Sequence, residues 1–164
     1  MRSIQVIPTK IYNLHDLQQE LKRWRLKNKK VVFTNGVFDI LHEGHIASLS
    51  EAASYGHVLI VGLNADASVK RIKGDERPIN KENSRALVLA SLVMTDAIIL
   101  FEEDTPFDLI TAIMPDVLVK GGDYTIDQIV GAKEVMANGG EVRTVPIVEG
   151  FSTTGIIERM RNGG

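Results

Sequence analysis

Cysteine is absent from this chain, which removes disulfides, thiolate-ligated zinc and a thiol nucleophile from consideration. An excess of charge of one sign is missing too: Lys and Arg total 19 against 21 Asp and Glu, a formal charge of -2, so no global field draws in long polyanions and nucleic acid is not an expected partner. No apolar run approaches the roughly 18 residues of a membrane span, and the N-terminus lacks the basic-then-apolar pattern of a secretory signal. A soluble, cytoplasmic protein is the expectation. Two common nucleotide signatures are also absent, the G-x-x-x-x-G-K-[ST] loop and the G-x-G-x-x-G fingerprint, so a P-loop ATPase or a dehydrogenase finds no support. There is no internal repeat, low-complexity segment or long linker.

What remains is enough for one good core, since 44% of the 164 residues are hydrophobic. Asn13 reads as the N-cap of a helix whose apolar stripe is Leu14, Leu17, Leu21 and Trp24, with Gln18, Glu20, Lys22 and Arg23 toward water. From there on, short apolar runs alternate with helical patterns. Lys29 to Phe33, His57 to Leu63, Ala97 to Phe101, Asp116 to Lys120 and Glu141 to Val145 read as strands. Thr105-Pro106 opens one helix and Gly139-Gly140 ends another. This alternation predicts an α/β fold, a Rossmann-like three-layer sandwich with a mainly parallel five-stranded sheet and helices on both faces, binding ligands beyond the carboxyl ends of the strands.

The richest segment, Thr34 to His45, lies at such a carboxyl end. A strand runs into a Gly36 turn, and His42-Glu43-Gly44-His45 then leads into a helix marked by Ile46, Leu49, Ala52 and Ala53. A helix N-terminus presents free N–H groups to phosphate oxygens, and His42 and His45 can add ring donors, although capping and packing would also suit them. The ring of Phe38 suits the core better than a base-stacking role. Ser152, Thr153 and Thr154 precede a second helix and make either a plain cap or a second anion site. Lys120-Gly121-Gly122-Asp123 follows a strand; Asp123 either accepts from ribose hydroxyls or is solvated beside a glycine turn. Asp66 can hold magnesium, orient an acceptor or merely cap a helix. Arg77 and Arg85 carry forks suited to phosphate, and Lys73 a mobile point charge. Gly74 to Asn80 is a polar loop that reads as a mobile lid.

Val31 to His45 resembles the signature of the H-x-G-H nucleotidyltransferases of the cytidylyltransferase-like superfamily. Asn64-Ala65-Asp66, Lys73 to Asn80, Leu118 to Tyr124 and Glu149 to Ile157 resemble, in the same order, the heptose 1-phosphate adenylyltransferases within it. The likeness runs from Lys30 to Arg161, so residues 1–29 read as a helical extension packed on a nucleotidyltransferase domain of 30–164. It departs at Val37, where many relatives carry Cys, a loss without consequence for a reaction needing no thiol.

The resemblance implies ATP and Mg2+, and AMP transfer to D-glycero-β-D-manno-heptose 1-phosphate on the way to lipopolysaccharide core. It implies catalytic roles for His42, His45 and Lys73. It assigns the nucleotide to Asn35, Gly36, Phe38, His42, His45, Lys120, Gly121, Asp123, Ser152, Thr153 and Thr154, and the acceptor to Asp39, Asn64, Asp66, Arg77 and Arg85. A separate heptose 7-phosphate kinase and a homo-oligomer are further expectations. The rivals are a cytidylyltransferase using CTP and glycerol 3-phosphate, and a nucleotide-binding module without catalysis.

Overall fold

Seven consecutive residues, Val58–Asn64, form a strand that is buried along its whole length, as expected of a strand covered on both faces. Around it the computed structural model describes residues 4–146 and 153–161. In chain order the elements are β1 (Ile11–Tyr12), α1 (Leu14–Leu26), β2 (Val31–Gly36), α2 (Glu43–Ser54), β3 (Val58–Asn64), α3 (Asp66–Lys73), α4 (Glu82–Ala90), β4 (Ala97–Phe101), α5 (Phe107–Ile113), β5 (Val117–Gly121), α6 (Ala132–Ala137), β6 (Glu141–Val145) and α7 (Thr153–Arg161). The strands lie in the order β1-β4-β3-β2-β5-β6, and every pairing is parallel.

Among the described residues six strands stand where five are predicted. The addition is β1, two residues that pair with Ile98 and Ile99 of β4. A two-residue strand is too short to display an alternation, so no periodicity marks it. The N-terminal segment therefore supplies an edge strand as well as α1. Asn13 caps α1 as its residue type suggests, its side chain accepting from the Asp16 N–H at 2.9 Å. Leu17 and Leu21 are buried and Trp24 packs against them, whereas Leu14, at the start of the predicted stripe, is exposed. Pro106 sits at the N-cap of α5, just outside the first turn, and Gly139 follows α6 at φ +84°, the left-handed geometry that ends helices.

Strand side chains alternate between two cores. Val31, Phe33, Ile60, Ile99 and Leu118 face α1, α5 and α6, while Val32, Leu59, Val61, Ile98 and Val119 face α2 and α4. This is the three-layer sandwich. The chain leaves β2 toward β3 and later crosses to β5 on the other side of β2, so the strand order reverses between β2 and β5. Crevices at such a switch point bind nucleotides.

Candidate active site

A cleft of about 360 Å3 opens at the carboxyl end of β2 and β5. From the end of β2, the connection after it and the start of α2 come Asn35, Gly36, Phe38, Asp39, His42 and His45; from the end of α3 and the loop after it, Lys73 and Arg77; from β5, Lys120 and Gly121; and from the start of α7, Thr153 and Thr154. All are predicted site residues. Ser152 lies outside the described residues.

His42 is the N-cap of α2, and its side chain makes no capping hydrogen bond to that helix among the described residues. One turn later His45 stacks on it, ring centroids 3.8 Å apart and planes at 25°. Phe38 fixes the other side of His45, edge to face at 5.3 Å. Its backbone sits at φ 45°, a conformation that strains a bulky residue by about 1–3 kcal/mol. Gly36 is required beside it, since a Cβ there would lie 2.9 Å from the Phe38 ring. The aromatic ring thus braces the histidine pair and packs on the core, as its sequence reading favours.

Burial pushes both imidazoles below their ordinary value, and His45, with His42 adding to the effect, falls to about 4. His45 Nδ1 is buried with no hydrogen-bond partner among the described residues. Such an orphan costs free energy unless a ligand relieves it. Lys120 reaches the same cleft with its Nζ 5.5 Å from the Tyr124 ring centre, and burial lowers its pKa as well. Thr153 donates to the Ile40 carbonyl at 3.3 Å, which ties the N-terminus of α7 to the turn before α2. The cleft therefore gathers two helix N-termini, two imidazoles and the cations Lys73, Arg77 and Lys120, a surface built for phosphate groups.

Four predicted site residues do not line this cleft. Arg85 is wholly buried beneath it: Nε donates to the Asn80 carbonyl at 2.9 Å, Nη1 to those of Val37 and Asn64 at 2.7 and 2.8 Å, and Nη2 to Asp66 Oδ1 at 2.8 Å. Its fork grips the protein. Asp66 is held by that contact, and its own N–H goes to Glu82 at 2.7 Å. Asn64 is buried and donates to Ser68 Oγ at 3.0 Å. Asp123 is exposed and does not line the cleft.

Asp39 lines the cleft but its carboxylate is fully engaged. Oδ2 accepts from Arg77 Nε and the Ile79 N–H, Oδ1 from the Asn80 N–H, each at 2.8 Å, and the Asp39 carbonyl accepts from Asn80 Nδ2 at 2.7 Å. Burial works to raise its pKa, but the Asn80 and Ile79 N–H groups and Arg77 outweigh it and hold the carboxyl below its ordinary value. In this structure the loop expected as a mobile lid is hydrogen-bonded to Asp39 through Arg77, Ile79 and Asn80. The same contacts bear on magnesium. Asp39 is the one carboxylate lining the cleft among the described residues, and its oxygens are taken; Asp66 is bound to Arg85; and no group of three or more His, Asp or Glu among the described residues has metal-site geometry. The donor set does not fit a divalent cation held by protein side chains.

Ser48 and Val119 also line the cleft and were not singled out by sequence reasoning. Ser48 follows His45 by one helical step of three, so spacing from the histidine would have found it. Val119 carries no signal beyond that of a core strand.

With this geometry in place, the sequence of residues 33–159 matches the cytidylyltransferase-like family. The chain belongs to that family. It is 49% identical over 157 residues to the bifunctional protein HldE of Koribacter versatilis, covering 96% of this chain and 32% of that protein. Against the protein of the same name from Rhodopseudomonas palustris strain BisB18 it is 54% identical, covering 90% of this chain and 30% of that one. The chain thus spans about a third of the length of these curated relatives. In three dimensions it resembles the lipopolysaccharide core biosynthesis protein of Thermoplasma volcanium, with a TM-score of 0.58 and 32% identity over 73% of this chain and 97% of that one. A likeness to the pantoate-beta-alanine ligase of Francisella tularensis, TM-score 0.58 at 17% identity over 83% and 66% of the two chains, shows the shared fold alone.

The lowered histidine pKa values have a stability consequence in this cytidylyltransferase-like domain. Between pH 6.5 and about 4 the unfolded chain takes up a proton at His45 that the folded chain refuses, so stability is lost as pH falls through that window. A full shift of this size would be worth about 3 kcal/mol, and solvent screening of the half-buried ring reduces it to roughly 1–2 kcal/mol. Asp39 acts in the same direction but only below its ordinary carboxylate range. Urea midpoints at pH 7 and pH 4.5 are expected to differ less in His45→Gln than in the parent protein. Equal differences in the two proteins would mean that His45 titrates normally.

Proposed function

We propose that this cleft transfers AMP from ATP to D-glycero-β-D-manno-heptose 1-phosphate, giving ADP-heptose and pyrophosphate. The observation that carries the reading is the stacked His42 and His45 at the start of α2, which line the same crevice as Lys73, Arg77 and Lys120 at the switch point of the sheet. The cytidylyltransferase-like family supports nucleotidyl transfer, and the likeness to a lipopolysaccharide core biosynthesis protein supports a place in that route.

The acceptor phosphate is already an anion near neutral pH, so the reaction requires neither a general base nor a covalent intermediate. An acceptor phosphate oxygen attacks the α-phosphorus, the bond from that phosphorus to the β-bridging oxygen breaks, and pyrophosphate leaves with the electron pair. Catalysis then consists of holding two anions in line and stabilising charge on the equatorial and leaving oxygens. His42 and His45 donate to the triphosphate, Thr153 and Thr154 hold it at the α7 N-terminus, and Lys120 supplies charge from β5. Gly121 leaves room for the nucleotide, since a Cβ there would meet nothing within 4 Å. A heptose 7-phosphate kinase acts earlier in the same route, and the name and length of the bifunctional relatives accord with a second activity beside this domain.

The test is pyrophosphate release across a panel of nucleoside triphosphates and phosphorylated acceptors. ATP with the heptose 1-phosphate is expected to give the highest kcat/KM. Faster turnover of CTP with glycerol 3-phosphate would transfer the assignment to that reaction, and no turnover with any pair would leave a binding module.

A further inference from the structure

Lys120 meets the cleft with its charge uncancelled. Arg77, in the same cleft, is paired with a carboxylate, whereas the partner of the Lys120 ammonium among the described residues is an aromatic ring: Nζ lies over Tyr124, 5.5 Å from the ring centre. Burial lowers the Lys120 pKa, and no carboxylate beside it works the other way. A ring face attracts an ammonium group through its quadrupole at this separation. Because the ring carries no formal charge, it holds the ammonium in place and leaves the positive charge for a phosphate. A carboxylate in that position would cancel it.

The chain after β5 fixes where that ring lies. Gly122, at φ 118°, turns the backbone with its N–H donating to the Val145 carbonyl at 2.9 Å, and the Tyr124 N–H then donates to the Gly122 carbonyl at 3.0 Å. Directly after it, Thr125 and Gln128 cap a single helical turn, Ile126–Gln128, the Thr125 N–H donating to Gln128 Oε1 at 3.1 Å. Tyr124 is thus anchored on both sides along the chain. Its side of the fold does not explain it, since the residue is 46% exposed, is part of neither core and does not line the cleft.

We propose that Tyr124 is a positioning residue for nucleotide binding: its ring face holds the Lys120 ammonium at the mouth of the switch point and does not touch the nucleotide. The proposal rests on the reading of the cleft as a nucleotide site, and its readout is affinity for ATP alone, which needs no acceptor. Titration calorimetry of the full chain with ATP is the test. Lys120→Met is expected to weaken binding by about 10- to 100-fold, the loss of one charge-assisted contact. Tyr124→Leu, which stays apolar but removes the ring, weakens it by about 3- to 10-fold, and Tyr124→Phe, which keeps the ring face, stays within about twofold of the parent. Once Lys120→Met is present, Tyr124→Leu adds nothing. A series of phenylalanines with increasing ring fluorination at position 124 separates the ring's electrostatics from its packing, because fluorine withdraws electron density from the face with little change in shape. Affinity is expected to fall stepwise along the series, and to be flat along it in Lys120→Met. The series also serves if Tyr124→Leu does not fold by circular dichroism. A flat series in the otherwise unchanged protein would make the ring a packing element, and a dependence on fluorine that persists in Lys120→Met would mean that it stacks on the nucleotide itself. Either result overturns the proposal. Absence of ATP binding by the parent protein would overturn the nucleotide reading and the proposal with it, whereas failure of the acceptor assignment in the substrate panel leaves this test intact.

Discussion

His45→Ala is expected to lower kcat by about two to three powers of ten, the range observed when one donor to transition-state charge is removed from an enzyme. His42→Ala is expected to fall in the same range. KM for ATP should change much less, because the triphosphate keeps its contacts with α7 and Lys120 in the ground state, and the histidines act on charge that grows as the pyrophosphate departs. The stack gives the expectation a structural basis. With centroids 3.8 Å apart, and His45 braced on its other side by Phe38, the imidazoles are already oriented before substrate arrives. Both are kept neutral by burial, so they act first as N–H donors, and an entering polyanion favours protonation of one of them as charge develops. Near neutral pH, melting followed by circular dichroism should shift by only a few degrees. A collapse of the melting transition together with the loss of turnover would make the pair a packing feature.

The parts of this site that could be read in the sequence are those whose signal is local. His42 and His45 stand three apart at a strand-to-helix junction, and that spacing alone places them on one side of a helix entry. Lys120 and Gly121 end a strand, and Thr153 and Thr154 start a helix, so their position at the sheet's carboxyl edge follows from element type. The protein partners of Arg85 and Asp39 are not legible in the sequence, for the opposite reason. The partners of Arg85 include Val37, 48 residues away, and Asn64, 21 away, and those of Asp39 are 38 to 41 residues away. A charge in a motif looks alike whether it meets substrate or another part of the chain. The loop of Gly74 to Asn80 is polar and rich in turn residues, and nothing in that pattern marks its bonds to one distant carboxylate. The edge strand β1 escaped notice because pairing, not pattern, defines it.

Arg85→Met is expected to destabilise the fold by about 3–5 kcal/mol, the cost of leaving one half of a buried ion pair and several carbonyls without partners. The substitution keeps the length and apolar stem of the side chain, so little of the loss comes from a cavity. What disappears is a joint between four segments: the turn before α2 at Val37, the end of β3 at Asn64, the start of α3 at Asp66 and the wall loop at Asn80. The Asp66 side chain is 21% exposed and can recover some hydration, which places the expectation toward the lower end of that range. Urea unfolding read as a midpoint shift at constant slope measures it. Adding Asp66→Asn to Arg85→Met should return about 1 kcal/mol, because the second change removes the orphaned charge, whereas Asp66→Asn alone should destabilise. Activity should fall in parallel, through both kcat and KM, because Val37 and Asn80 anchor the segments that carry the histidines and Arg77. If Arg85→Met instead unfolded at the parent midpoint and raised only the acceptor KM, Arg85 would be a phosphate ligand after all, and the buried joint would have to open when substrate binds.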